Sequence, residues 1–275
     1  MAEYSDLTPD QLHHLRTRAI RGVELVEEVA RLATMNLLLH GVHGANLEMT
    51  NTLESHSPNV PEKVRYDVIL SNPPYGGKMQ AQLQENFTIR SGATEVLFVQ
   101  HIMANLAKGG RAAIIVPEGV LFRSGPNEKL RQKLLTEFNV HTVLSLPAGC
   151  FLPYTGVKTN VVFFNREKDG KTTESVWFYE LTNDGFELKG TRKPMEGNQI
   201  PDFLAKWEER LAGDHSWILP LSEIEEKGWD LSAKNPKIEE DVDTRSALEI
   251  VQAIKLTQLR ITELADELEQ IIISE

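Results

Sequence analysis

The residues best suited to chemistry are Asn72-Pro73-Pro74-Tyr75, which follow the strand predicted at residues 66–70 after one residue, Ser71. The Asn72 side-chain oxygen and the Pro73 carbonyl can each accept a hydrogen bond from one planar NH2 group. The prolines fix the backbone that aims these two acceptors, and Tyr75 can stack on a planar ring. Accepting both protons directs the nitrogen lone pair at an electrophile. The tetrapeptide therefore predicts a site that presents a planar amine as a nucleophile, and a proline-rich turn after a strand is the structural alternative.

A second candidate is Glu24, which ends the short predicted strand at residues 19–25 and lies 48 residues before Asn72. Its carboxylate can accept hydrogen bonds from two neighbouring hydroxyl groups. The alternative is a solvated glutamate at the start of the helix predicted for residues 26–39.

These candidates need a framework, and strand and helix patterns alternate along the chain. Residues 66–70, 111–116 and 141–146 predict strands, and residues 93–107 and 126–138 predict helices, the first of them ended by Gly109-Gly110. This alternation favours a three-layer α/β fold with a largely parallel sheet, whose strand ends bind ligands. Asp169-Gly170, between strands predicted at 159–165 and 175–181, predicts an antiparallel hairpin at the sheet edge.

The composition excludes several classes of protein. With 275 residues, 41% of them hydrophobic and 25% charged, the chain is neither disordered nor a small disulfide-bonded domain. No apolar run reaches the ~20 residues that span a bilayer, no secretory signal is visible, and Cys150 is the only cysteine. These features predict a cytoplasmic protein. The 29 basic and 40 acidic residues give a charge of −11, so tight binding to a nucleic acid would need a partner that brings positive charge.

The chain divides into three predicted segments. Residues 1–190 carry the alternating pattern, residues 191–243 read as a linker and peripheral segment, and residues 244–275 form a helix with a heptad pattern. Seven of the eight seam positions of that helix are apolar, which favours docking to a partner helix over packing on its own domain. The seam consists of Ala247, Ile250, Ile254, Thr257, Ile261, Leu264, Leu268 and Ile271.

Several motifs between residues 19 and 236 resemble, in order and spacing, the modification (methyltransferase) subunit of type I restriction-modification systems. They are RGVEL (21–25), ATMNLLLHG (33–41), NTL (51–53), YDVILSNPPYGG (66–77), GGRAAIIVPEGVLF (109–122), LPAGCFLPYTGVKTNVVFF (146–164) and GWDLSAKNP (228–236). The resemblance implies a Rossmann-like class I methyltransferase sheet and a site-specific DNA-methyltransferase (adenine-specific), EC 2.1.1.72. It also implies S-adenosyl-L-methionine as the cofactor.

The resemblance also implies roles for individual residues. Asn72, Pro73, Pro74 and Tyr75 take the place of the family's catalytic loop. Glu24 takes the place of the residue that binds the cofactor ribose, and Asn51 that of the residue that contacts the cofactor adenine. Phe151 and Tyr154 lie in a segment similar to the one that faces the target base. Packing beneath the predicted hairpin is the alternative for these two aromatic residues, and it is favoured for Phe151.

The partners that the resemblance implies are DNA, bound through a complex, a specificity subunit, a second modification subunit, and a restriction subunit that supplies motor and nuclease. The sequence departs from the family pattern in one respect. The glycine-rich cofactor loop, Asp-Pro-x-x-Gly-x-Gly, does not occur, and the first glycine is Gly22. We therefore expect an N-terminally truncated chain that lacks the first strand and the N-terminal helical domain, and that is inactive alone.

Two alternatives follow from that departure. The chain could be a catalytically silent fragment that binds partner subunits, or a protein glutamine methyltransferase, which also uses Asn-Pro-Pro-Tyr to hold an NH2 group. The block at residues 146–160 and the heptad tail count against the second alternative. With one cysteine and no HExxH or CxxC pattern, the sequence predicts no metal site.

Overall fold

The computed structural model describes residues 6–44, 46–232, 235–237 and 246–274. The chain divides into two compact units, residues 1–235 and 236–275. The first unit begins with two helices and two short strands: α1 (Pro9–Thr17), β1 (Arg21–Glu24), α2 (Glu27–Leu39) and β2 (Asn46–Met49). As the sequence predicts, α1 starts at Thr8, whose hydroxyl accepts a hydrogen bond from the Gln11 amide, with proline in the first turn.

The remainder of the first unit supplies six strands and six helices among the described residues. They are β3 (Tyr66–Ser71), α3 (Ala81–Gln84), α4 (Thr94–Asn105), β4 (Leu106–Pro117), α5 (Glu118–Phe122), α6 (Pro126–Glu137), β5 (Asn139–Ser145), β6 (Thr159–Asn165), β7 (Ser175–Glu180), α7 (Ile200–Lys206), β8 (Ser216–Pro220) and α8 (Leu221–Glu226). The second unit contains the long helix α9 (Ala247–Ser274).

The six strands form one mixed sheet in the order β3-β4-β6-β5-β7-β8, while β1 and β2 form a separate parallel pair. Neighbours β3 and β4 are parallel, as are β5 and β7, and the other three neighbouring pairs are antiparallel. The α/β class is confirmed. The prediction of a largely parallel sheet is wrong for the six strands, because β6 enters antiparallel between β4 and β5.

The predicted hairpin of β6 with β7 is also wrong. Strand β7 pairs with β5 and β8, and β6 lies in the middle of the sheet. Val162 and Phe164 of β6 are buried, so this strand is stabilised by neighbours on both edges. The turn at Gly170 is present, with its amide bonded to the Glu167 carbonyl at 3.4 Å. Local turn chemistry therefore predicts the turn but not the pairing of the strands that flank it.

Gly109 and Gly110 lie inside β4 rather than at the end of the preceding helix, which ends at Asn105. Pairing of β4 with β3 shifts register there, and Gly109 has a φ of +81°, a conformation that suits glycine. The segment 191–243 contributes α7, β8 and α8, and β8 extends the sheet beside β7.

Apolar side chains cover both faces of the six-stranded sheet. One face packs under α4, α5 and α6, with Ile114, Val162 and Leu135 buried in this layer. The other face carries an aromatic cluster of Trp177 and Tyr179 with Phe203 from α7. No helix in the described ranges is long and apolar enough to span a membrane.

Candidate functional site

The loop at residues 72–77 leaves the carboxyl end of β3 and is fastened to the chain that leads into α4. The Thr94 amide donates to the Gly77 carbonyl at 3.2 Å, and the Met79 amide donates to the Gly92 carbonyl at 2.9 Å. The Thr94 hydroxyl donates to the Pro74 carbonyl at 3.4 Å. A side chain at Gly77 would collide with that of Thr94, only 2.8 Å away. This close approach explains the glycine and holds the loop against α4.

Within the loop, Pro73 is buried, and the Asn72 and Pro74 side chains are exposed. The Tyr75 hydroxyl donates a hydrogen bond to the Asn72 Oδ1 atom, so the oxygen that the sequence assigns to an incoming amine already has one donor. Because an amide oxygen has two lone pairs, it can accept from a second donor. Burial raises the pKa of the Tyr75 hydroxyl above its usual range, and the nearby Cys150 thiol adds to this effect. Tyr75 therefore stays protonated as that donor.

The loop forms one wall of a cavity of about 880 Å³, a volume within the roughly 300–1,000 Å³ typical of small-molecule sites. The opposite walls come from the end of β4 with α5, from the start of α6, and from the segment between β5 and β6. The residues that line it are Asn72, Pro73, Pro74, Tyr75, Gly76, Ala93, Glu95, Pro117, Glu118, Gly119, Val120, Phe122, Arg123, Asn127, Phe151, Tyr154, Thr155, Val157 and Lys158.

Phe151 and Tyr154 both line this cavity together with the loop. Tyr154 is 93% exposed and Phe151 is half-buried. At this position Phe151 can both pack against its neighbours, as the sequence favours, and face a base in the cavity. Because Tyr154 is almost fully exposed, packing does not explain an aromatic side chain at this position.

Two charged residues of the cavity wall are paired with each other. Lys158 Nζ lies 3.2 Å from Glu118 Oε1, and the Glu118 amide donates to the Lys158 carbonyl at 3.0 Å. This double contact joins the start of α5 to the segment before β6. The sequence reasoning missed this wall, although it directly follows β4, the parallel neighbour of β3. Because parallel neighbouring strands end at the same edge of a sheet, the residues after β4 could have been predicted to lie beside the loop after β3.

Glu24 is the last residue of β1, Asn51 follows the end of β2 by two residues, and neither lines the cavity. One carboxylate oxygen of Glu24 accepts a hydrogen bond from the Val26 amide at 2.8 Å. The Asn51 side chain closes its own turn: Oδ1 accepts from the Leu53 amide at 3.1 Å, and Nδ2 donates to Glu54 at 3.0 Å. The structure thus brings the four loop residues together in the cavity wall, and it places Glu24 and Asn51 outside that wall, one at the carboxyl end of β1 and the other just after that of β2. Among the described residues, no three His, Cys, Asp or Glu side chains are grouped so that they could hold a metal ion.

Comparison with known proteins adds an independent line of evidence. The model of the N-6 DNA Methylase family matches residues 2–244. The methylase subunit of the type I restriction enzyme EcoEI from Escherichia coli is 34% identical, over 94% of this chain and 54% of its own length. The chain therefore spans about half the length of the curated relatives it matches.

Solved structures are similar in fold as well as in sequence. A chain from a type I R-M system superimposes with a TM-score of 0.74 and 36% identity, covering 98% of this chain and 57% of that chain. The M protein of the type I restriction enzyme EcoKI gives a TM-score of 0.63 and 30% identity, covering 94% and 63%. The Rossmann-like methyltransferase fold that the motifs predict is therefore confirmed.

Proposed function

The chain belongs to the N-6 DNA methylase family, and on that premise we propose that it transfers a methyl group to N6 of adenine in DNA, as part of a type I modification complex. The observation that carries the proposal is the position of Asn72-Pro73-Pro74-Tyr75 at the end of β3, on the wall of the large cavity. An adenine that reaches this wall has to leave the DNA helix, at a cost of a few kcal/mol. The cavity is lined by aromatic side chains, which are Tyr75, Phe122, Phe151 and Tyr154, and by the polar side chain of Asn72.

The loop residues act on the amine through hydrogen bonds and stacking. Asn72 Oδ1 accepts from one N6 proton, sharing its lone pairs with the Tyr75 hydroxyl. The Pro73 carbonyl accepts from the other proton. Both bonds favour the pyramidal amine whose lone pair points at the electrophile, and they strengthen as positive charge develops on nitrogen. The proton released after methyl transfer passes to water, because amide oxygens are too weakly basic to keep it. Tyr75 stacks on the ring and holds its plane.

The described residues fit part of S-adenosylmethionine, which supplies an electrophilic methyl group when bound. Glu24 ends β1 with one carboxylate oxygen bonded to the Val26 amide. The second oxygen is directed by that bond and suits a ribose hydroxyl group. Asn51 fits less well, because both ends of its amide are bonded within its own turn. We assign no residue of this chain to the methionine part of the cofactor.

The partners we propose are DNA, a specificity subunit, a second modification subunit and a restriction subunit. Helix α9 supports a role in assembly, since large apolar side chains on it are exposed, among them Ile254, Ile261 and Leu268 of the predicted seam. The side chains of Ala247 and Ile271, which complete the seam, lie outside the described residues. A catalytically silent, partner-binding role would need only this helix, and the intact loop of the cavity distinguishes the enzymatic proposal from it.

The test is methyl transfer to unmethylated DNA by the chain in complex with a type I specificity subunit, with N6-methyladenine measured by mass spectrometry after hydrolysis. Asn72→Ala should lower the rate about 10²- to 10³-fold, by analogy with the loss of one group that stabilises a transition state. Calorimetric binding of S-adenosylmethionine should be unchanged. Glu24→Ala is the complementary variant, and it should weaken cofactor binding. A full rate in Asn72→Ala, or methylation of a protein glutamine with none of DNA, would contradict the proposal.

A further inference from the structure

Arg123 follows α5 and lines the same cavity as the loop at residues 72–77. Its side chain is exposed. Lys158, the other basic residue of the wall, is neutralised by Glu118 at 3.2 Å. No carboxylate lies within ion-pair distance of the Arg123 guanidinium in the part of the chain that the structure describes. Arg123 thus has no ion-pair partner among the described residues, although Glu95, whose carboxylate accepts only from the Thr94 hydroxyl at 3.4 Å, brings a negative charge to the same cavity wall.

Gly119 provides the space that this guanidinium occupies. A Cβ atom at residue 119 would lie 2.9 Å from Arg123 Nε and 3.1 Å from its Cζ. Gly119 has no positive φ, unlike Gly125 a few residues later. A glycine is therefore needed at residue 119 for room and not for backbone conformation. An alanine there would displace the guanidinium, which is the mobile end of a long side chain, and leave the backbone in place.

The main chain of Arg123 is also held. Arg131 of α6 is 2% exposed, and its Nη1 donates to the carbonyls of Val120 and Arg123, at 2.8 Å each. Bonds from one buried guanidinium fix the end of α5 relative to α6. The Arg123 side chain therefore starts from a rigid position and reaches into the cavity across Gly119.

We propose that Arg123 binds a phosphodiester group of the DNA strand whose adenine enters the cavity. This inference rests on the proposed function and names a contact within the same site. The chain as a whole has 29 basic and 40 acidic residues, so its overall field repels a phosphate backbone. Arg123 is the basic residue of the cavity wall that is not held in an ion pair with a described residue, so its guanidinium is the group that can hold the strand there, and a guanidinium can donate two parallel hydrogen bonds to a phosphate.

The test is binding of the chain to a fluorescent, adenine-containing single-stranded 12-mer, measured by anisotropy between 20 and 200 mM salt. Loss of one phosphate contact lowers the slope of log K against log salt by about 0.7 for single strands. At 50 mM salt this corresponds to about an eightfold weaker Kd. Arg123→Ala should show both changes, Arg123→Lys should keep the slope, and Gly119→Ala should lose part of it with an unchanged thermal melt.

Arg90→Ala is the matched control, because Arg90 is an exposed arginine that does not line the cavity. It should leave the slope and the Kd unchanged. The proposal is overturned if Arg123→Ala binds like the wild type, if Arg90→Ala loses as much, or if the wild-type chain does not bind the 12-mer at 20 mM salt. Methyl transfer is measured in a separate experiment. If Asn72→Ala contradicts the proposed function, the salt dependence of binding in the Arg123 variants still tests the phosphate contact.

Discussion

Two regions of the first unit differ in how far their apolar side chains are buried. In the N-terminal segment, residues 6–50, the one buried hydrophobic side chain among those described is Ala30. Five large apolar residues recur there every three or four positions along and just before α2, and all are exposed: Leu25, Val29, Leu32, Met35 and Leu39. In the six-stranded sheet, by contrast, helices cover both faces and the core is continuous.

The contrast divides the proposed site into two parts. The loop and cavity that would receive the base belong to the packed sheet, whereas Glu24 and Asn51, the candidate cofactor residues, belong to the segment around β1 and β2. Strand β3, which carries the loop, is itself an edge strand, and its Leu70 is 79% exposed. Since isolated two-stranded sheets are marginal in water, we infer that order on the cofactor side depends on further contacts to the exposed apolar surface.

The largest expected difference between the regions is in amide hydrogen exchange. Backbone amides of β4 and β6 have strand neighbours on both sides, and those of β1 and β2 belong to a two-stranded pair. Because exchange follows the free energy of local opening, we expect β1 and β2 to exchange at least about 10³-fold faster than β6. Peptide-level mass spectrometry measures this directly. Equal protection in both regions would show that the comparison is wrong.

A matched pair of substitutions tests the same contrast by stability. Leu135 on α6 is fully buried, and Leu32 on α2 is 65% exposed. Leu135→Ala should lower the free energy of unfolding by about 2–5 kcal/mol, since it removes buried methyl groups and leaves a cavity. Leu32→Ala should change it by about 0.5 kcal/mol or less. Urea unfolding followed by circular dichroism gives both values, and a large loss in Leu32→Ala would mean that the stripe on α2 is covered in solution.

The sequence predicts most elements of both regions, because periodicity and caps are local. The helix start at Thr8, the strand at residues 159–165 and the loop after β3 all follow from adjacent residues. Strand order does not, as β6 shows: its place between β4 and β5 depends on burial of Val162 and Phe164 by distant helices. The same limit applies to the site. The loop could be predicted from four adjacent residues, but the wall with Gly119, Arg123 and Lys158 arises only when β4 is placed beside β3.

Residues 52–56, which follow β2, contact α4 of the packed region through a pair of histidines, and this makes the contact sensitive to acid. His101 on α4 lies 3.4 Å, Nδ1 to Nδ1, from His56, and its Nε2 lies 3.1 Å from the Thr52 hydroxyl. His56 is buried and stacks on Phe87 with ring centroids 3.9 Å apart. Burial, with the neighbouring His56 as a second cause, lowers the pKa of His101 to about 4. Burial lowers the pKa of His56 as well.

Protonation of this pair should therefore weaken the contact at low pH. In the unfolded chain a histidine binds its proton near pH 6.5, so between pH 6.5 and about 4 the unfolded state holds more protons than the folded state. The free energy of unfolding should have its full value above pH 6.5. It should fall as the pH decreases through this window, by up to about 1.4 kcal/mol per pH unit for one such histidine.

His141, on β5, also has a pKa lowered to about 4, by burial and then by Arg210. It therefore adds a similar dependence of stability on pH within the packed sheet. Urea unfolding at pH 7, 6 and 5 should show His101→Gln and His141→Gln each flattening the dependence. Only His101→Gln should also reduce the acid-induced rise in exchange around residues 51–56. An unchanged rise in that variant would mean that the histidine pair does not hold residues 52–56 to α4.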